Sequence, residues 1–319
     1  MPSLSSFHPF ILASQPVGIL ITTQRRTTMK RAFLKYFSIL VLVLLFSTSV
    51  FGQPYQAPVA SSPVVAKQVA PDIYMFTGGR GANTGAYIGK KEVLLIDSKQ
   101  DSASVAQVLV AIRKLTNAPL TRVVNTHADS DHVFGNRFQP AGVTFIAHEN
   151  CLKEFFLPSM NGTPSDWNNP ALKAFLPSVT YADRMDLKVG TKRIRLYYFG
   201  IGHTTGDTVV YFPDEKVAFI GDQIFTTREQ LIHAYKGGSS FGEVAALEKM
   251  LSSIDARKFV CRHNDVIDRA AVQNHIARMK ALQAKVRDLK MKGRSIEEVQ
   301  KQFEQNQSAL VQAIYNEIK

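Results

Sequence analysis

The chain has 319 residues, 45% hydrophobic and 20% charged, with 10% aromatics, 19 glycines and 14 prolines. That composition excludes a disordered, collagen-like or coiled-coil chain and allows one large domain or two small ones with a self-sufficient core. The net charge of +12 is partly segmental: residues 1–52 carry Arg25, Arg26, Lys30, Arg31 and Lys35 and no acid, and without them 33 basic residues face 26 acidic ones, a net of +7. No nucleic-acid partner is expected from that balance.

The first predicted feature is an export signal. Residues 29–52 have a basic start (Lys30, Arg31, Lys35), an apolar run of 11 residues over Tyr36–Phe46, and small Val50 and Gly52 before Gln53. This is the layout of a secretory signal peptide cleaved before Gln53, and the run is short for a membrane span. Met29 is then the expected start, with 1–52 as N-terminal extension and signal. The expected location is periplasmic or secreted, and an uncleaved segment would be the sole membrane contact. Residues 53–67, rich in Pro, Ala and Ser at their start, read as a flexible lead. Residues 68–319 read as one domain with C-terminal helices.

Short strands are expected at Ile73–Thr77, Thr84–Ile88 and Val93–Asp97. Gly79-Arg80-Gly81 between the first two fails the dinucleotide fingerprint, because a strand follows where a helix is needed, and reads as a hairpin turn. Over Ser102–Leu115, Val105, Val108, Leu109, Ile112 and Leu115 fall on one helical face. Strands follow at Thr121–Asn125 and Val143–His148, then a loop-rich helical stretch at Cys151–Pro177. Phe155, Phe156, Leu157, Met160, Trp167, Phe175 and Leu176 in that stretch are candidates to roof a pocket, or to form a plain core. Further strands are expected at Ile194–Phe199, Thr208–Phe212, Val217–Ile220 and Lys258–Cys261, with a helix at Phe241–Ile254 and mostly helix over 270–319. The basic run Arg278, Lys280, Lys285, Arg287, Lys290, Lys292 and Arg294 reads as a solvated helix face, with an anionic partner as the alternative. Two cysteines, Cys151 and Cys261, are too few for a disulfide framework, and spacing does not decide whether they pair.

The chemistry concentrates in Asn125-Thr126-His127-Ala128-Asp129-Ser130-Asp131-His132, four potential ligands in six residues directly after a strand. Imidazole with carboxylate suits zinc, iron or manganese better than calcium or magnesium. His203, Asp222 and His263 also stand at predicted strand ends. His148, His233 and His275 are not expected to be ligands. His233 and Tyr235 are candidates to touch substrate, and Asp97 either bonds beneath the metal loop or serves a turn.

HADSDH at 127–132, GHTTGD at 202–207, GD at 221–222 and RHN at 262–264 together resemble the metallo-β-lactamase superfamily in order and spacing, over roughly residues 68–275. The resemblance implies an α/β fold, an αββα sandwich of two mixed β-sheets flanked by helices, with a binuclear metal site at one edge. Carried over by position, His127, Asp129 and His203 hold one metal, Asp131, His132 and His263 the other, and Asp222 bridges both. Asp131 also orients the attacking water and takes its proton. Two departures stand out. The family's second histidine is Asp129 here, and the last histidine lies between Arg262 and Asn264 instead of two glycines. Two dications, three carboxylates and a hydroxide sum to zero charge, where a histidine at 129 leaves +1. Zinc is the first expectation, and the harder donor set that Asp129 makes shifts the preference toward iron or manganese.

The expected function is an exported hydrolase acting on an ester, thioester, lactone or amide carbonyl of a small-molecule substrate. The alternatives are a di-iron redox or oxygen-handling protein, a β-lactamase side activity, and a non-catalytic module that keeps its metal for stability.

Overall fold

Alternation along single strands dictates the layering. In Val93–Ile96, Val93 and Leu95 pack on one side with Val108 and Ile112, while Leu94 and Ile96 pack on the other with Val210, Phe212 and Phe219. A strand buried on both faces needs a layer above and below, so it must lie inside a sandwich. The structure, a computed structural model, describes residues 62–319 except Asn264. The signal-peptide reading and most of the lead lie outside the described residues.

Seven strands form the first sheet in sequence order: β1 (Val65–Ala70), β2 (Ile73–Thr77), β3 (Thr84–Ile88), β4 (Val93–Ile96), β5 (Leu120–Val124), β6 (Thr144–His148) and β7 (Val179–Tyr181). Strands β1 to β4 pair antiparallel, and β4 to β7 parallel. β8 (Arg184–Val189), β9 (Lys192–Tyr197), β10 (Val209–Phe212), β11 (Val217–Phe219), β12 (Lys258–Val260) and β13 (Val266–Asp268) form the second, also in sequence order. There only β11 and β12 run parallel. Both sheets are therefore mixed. The turn over 78–83 joins antiparallel β2 and β3, as a hairpin should.

The inter-sheet core is aliphatic and aromatic, with Ile73, Leu94, Ile96, Leu196, Val210, Phe212 and Phe219 sealed from solvent. Each such side chain contributes about 1.5–3 kcal/mol by burial. The sheets meet closely where Gly85 faces Phe219: a Cβ on Gly85 would lie 2.4 Å from the ring. Helix α1 (Ser102–Arg113) covers the first sheet with Val105, Val108 and Ile112, capped by Asp101, whose carboxylate accepts from Ser104 N at 2.8 Å. Leu115 lies past the helix end and is exposed. Short α2 (Ser130–Val133) and α3 (Glu149–Glu154) sit at the ends of first-sheet strands. Helices α4 (Ser240–Ser253), α5 (Arg269–Met291), α6 (Ile296–Gln300) and α7 (Ser308–Glu317) cover the second sheet with Leu247, Met250, Val272, Ile276 and Val311. The result is the expected αββα sandwich.

Two readings change in detail, and the cysteine pairing left open by the sequence is answered. β1 begins at Val65, inside the stretch read as lead, and β7, β8 and β13 add to the strands expected from the sequence. The basic run on α5 is not uniformly solvated. Lys290 Nζ donates to the carbonyls of Tyr315 and Ile318, and Lys285 and Arg287 lie over the rings of Phe303 and Phe241, so these stems tie α5 to its neighbours. Cys151 and Cys261 are separate buried thiols. No helix among the described residues is long and apolar enough to cross a membrane.

Candidate metal centre

Every residue proposed as a ligand arrives from the end of a strand. β5 ends at Val124 and releases His127; Asp129 then stands just before α2, with its side chain turned to the site, and α2 carries Asp131 and His132. From the second sheet, the loop after β9 supplies His203, the turn after β11 supplies Asp222, and the segment after β12 supplies His263. Gly221 has φ +60° beside Thr126, 3.1 Å from where its Cβ would lie, so the turn that aims Asp222 requires glycine.

These seven side chains converge as two sets of mutually close ligand atoms: His127, Asp129, His203 and Asp222, and Asp131, His132 and His263. Asp129 Oδ2 lies 3.3 Å from His127 Nε2 and 3.1 Å from His203 Nε2. His263 Nε2 lies 3.1 Å from Asp131 Oδ2 and 3.2 Å from Asp222 Oδ2. Asp222 reaches both sets, because its Oδ1 is 3.3 Å from His132 Nε2 and its Oδ2 is 4.0 Å from His127 Nε2. His148 and His275 lie elsewhere: His148 bonds the Ala182 carbonyl at 2.6 Å, and His275 sits 3.6 Å from Glu243.

The back of three of the four imidazoles is fixed. His132 Nδ1 donates to Asp97 Oδ2 at 2.9 Å, and His203 Nδ1 donates to the Leu231 carbonyl at 2.7 Å. The Thr126 hydroxyl gives its proton to Asp97 Oδ2 and so accepts from His127 Nδ1 at 3.2 Å. All three rings therefore turn Nε2 toward the site, the arrangement that outer partners impose on metal-ligating histidines. Asp97 does bond beneath the loop. Its backbone takes φ +60°, a conformation that costs a non-glycine residue about 1–2 kcal/mol and here aims the carboxylate under Thr126 and His132.

Arg262 supports the same base. It is fully buried, its Nε donates to Asp97 Oδ2 at 2.8 Å, and its Nη2 donates to the Ile96 carbonyl. This explains why arginine rather than glycine precedes the last histidine: its guanidinium joins the end of β12 to the end of β4. Burial would raise the Asp97 carboxyl, but Arg262 first and then His132 hold it well below the usual carboxylate range. Burial likewise opposes charge at His203, yet the bond and charge of Asp129 push it up to about 10. The carboxylates thus make the site a strong attractor for a cation, proton or metal. The buried atoms His127 Nε2, His132 Nε2 and Asp222 Oδ1 have no hydrogen-bond partner, which fits ligand positions and not a self-satisfied polar core.

Sequence reasoning missed Lys236, and placed His233 only as a possible substrate contact. Lys236 Nζ lies 2.5 Å from Asp129 Oδ1, and His233 Nε2 lies 2.9 Å from Asp129 Oδ2. Both come from the loop after Asp222, folded back by bonds from His233 N to the His203 carbonyl and from Gly238 N to the His233 carbonyl.

A cleft of about 850 Å³ opens on the cluster, with Asp131, Asp222 and His263 among its walls. Phe134, Phe155, Leu157 and Trp167 form an apolar wall, and Tyr235 also lines the cleft. Phe155 meets Trp167 edge-on at 4.9 Å. Of the residues proposed as a roof, Phe156 and Met160 point to solvent, and Phe175 and Leu176 pack beneath against the Trp167 cluster. None of those four lines the cleft.

The sequence model of the metallo-β-lactamase superfamily matches residues 77–260, more than half of the chain. The chain belongs to that superfamily. Among solved structures it is similar to the metallo-β-lactamase from Pontibacter korlensis (TM-score 0.55, 18% identity, 68% of this chain and 99% of that one). It is likewise similar to the DIM-1 metallo-β-lactamase (TM-score 0.57, 18% identity, 69% and 99%). At these identities the likeness shows the fold. In sequence it is 28% identical over 145 residues to the 2,4-dinitroanisole O-demethylase subunit alpha of Nocardioides sp. (strain JS1661), a match over 45% of this chain and 41% of that protein. Family membership and the ligand cluster place this superfamily member among metal-dependent hydrolases and related enzymes, with a centre suited to divalent ions.

Proposed function

We propose that the protein is an exported hydrolase with a binuclear centre, in which water attacks an ester, thioester, lactone or amide carbonyl of a small molecule. The observation that carries this reading is the bridging placement of Asp222 between two ligand sets, each drawn from both sheets. His127, Asp129 and His203 would hold one ion, Asp131, His132 and His263 the second, with zinc the first choice. Two divalent ions supply the acidity that makes water nucleophilic at neutral pH and polarises the carbonyl. Asp131, 29% exposed at the cleft, is positioned to take the water's proton. The wall of Phe134, Phe155 and Trp167 favours substrates with an apolar or aromatic group. The same wall and the demethylase relative support a second reading, cleavage of an activated aryl ether.

The test uses the mature chain recovered from the exported fraction of its host, expected to begin at Gln53. Metal content is measured by elemental mass spectrometry, and hydrolysis is followed on aryl esters, thioesters, lactones, amides and 2,4-dinitroanisole. About two zinc ions per chain, activity lost on verified metal removal, and a fall in kcat of about 100-fold or more in Asp131→Asn with the fold intact are expected. Turnover retained without metal would refute the reading. About two redox-active irons would replace it with the oxygen-handling one.

A further inference from the structure

Asp129 divides its carboxylate. Oδ2 faces the imidazoles of His127, His203 and His233, at 2.9–3.3 Å, while Oδ1 is held by Lys236 on the opposite side. Lys236 is buried, 8% exposed, and among the described residues its one ion pair is with Asp129. Glu154, the other carboxylate near it, is instead bonded by the Thr205 backbone N–H and hydroxyl. The lysine is fixed by the 3-10 turn Ala234–Lys236, whose end Gly237 takes φ +77° against the Thr205 methyl.

From this geometry, and resting on the binuclear reading above, we infer that Asp129 and Lys236 act as one ligand unit of zero net charge, the electrostatic counterpart of the imidazole the family carries at position 129. Lys236 returns the unit of positive charge that the aspartate removes. The harder, charge-neutral centre expected from the sequence therefore does not arise, and the pull toward iron and manganese is cancelled by a side chain 107 residues away. The lysine occupies only Oδ1, so Oδ2 still faces the ligand imidazoles of His127 and His203, with His233 beside it. Lys236 is thus a positioning residue that sets which metal the site prefers.

The test measures affinities for Mn²⁺ and for Zn²⁺ separately, by chelator competition on the mature chain, with fold checked by circular dichroism and thermal melting. In Lys236→Met the affinity for Mn²⁺ relative to Zn²⁺ is expected to rise about tenfold, since an uncompensated carboxylate is a harder donor. Lys236→Arg keeps the charge and is expected to keep the wild-type ratio. The double variant Asp129→His/Lys236→Met is expected at or below it. An unchanged ratio in Lys236→Met, with both affinities intact or equally reduced, overturns the inference and leaves the binuclear reading standing. A wild-type chain that takes up neither ion overturns both. If Lys236→Met does not fold, Asp129→His is compared with Asp129→His/Lys236→Met. Removing the lysine there is expected to recover affinity for both ions, and no recovery overturns the inference.

Discussion

Glu154 lines the cleft at 4% exposure, with Oε1 accepting from Thr205 N at 2.8 Å and Oε2 without a partner. Burial pushes its carboxyl up from 4.5 to about 7, partly offset by the Thr205 hydroxyl. Between those values the folded chain keeps a proton that the unfolded chain has lost. The contribution is whole below pH 4.5 and disappears as pH rises through about 7. Glutamine has the shape of the protonated acid and keeps the accepting oxygen. Glu154→Gln is expected to be more stable than wild type above pH 7 by up to about 3 kcal/mol, with the gap closing below pH 4.5. Urea unfolding from pH 4 to 9 reads this directly; a gap that widens on acidification would contradict it. At this scale the ligands were legible because four sit in one hexapeptide and three follow short motifs. Lys236, and the parts that His233 and Arg262 play beside Asp129 and Asp97, were not. No spacing rule links them to Asp129 or Asp97, and only the folded loops bring them there.

At the scale of elements, the start of α4 secures the turn that carries His203. Ser239 N donates to the Gly202 carbonyl at 2.8 Å, and the Ser239 side chain caps Gly242 N at 2.9 Å. Glu317, the last residue of α7, accepts from Ser240 N at 2.7 Å and from the Ser239 hydroxyl. A carboxylate on a helix N-terminus pairs charge with orphan amides. Glu317→Ala is expected to lower stability by about 1–2 kcal/mol and to speed hydrogen exchange at residues 202 and 239–240 but not in α1. Equal exchange in both regions would show that the C-terminal helix does not brace the turn. Elements with strong alternation or helical periodicity were legible within one or two residues. β8 is the exception, since Met185, Leu187 and Val189 alternate with charged residues as a half-exposed strand should, yet it is absent from the strands expected above. β7 and β13 have three residues each, and their extended shape is set by the strands they pair with.

At the scale of the molecule, the chain builds the first sheet entirely before Ala182 and the second entirely after Asp183. Neither half exchanges a strand with the other. The inter-sheet core joins them without direction, the buried Arg262–Asp97 pair joins them at one point, and each set of candidate ligands takes members from both halves. The two-layer architecture was readable from the order of strands and helices, but this partition was not, because it depends on which strands pair.

The partition marks a place to divide the chain. Cut between Ala182 and Asp183, it yields two polypeptides that each carry a complete sheet and an incomplete set of ligands, four residues on one and three on the other. Refolded together, the fragments 62–182 and 183–319 are expected to find each other through the apolar faces and to associate at least about tenfold more tightly with zinc than with a chelator, as measured by titration calorimetry. Association indifferent to metal would mean that the ions sit on one half alone. With the expected result, the centre acts as a rivet between two leaves, and the grip of one leaf on the other reports whether it is in place.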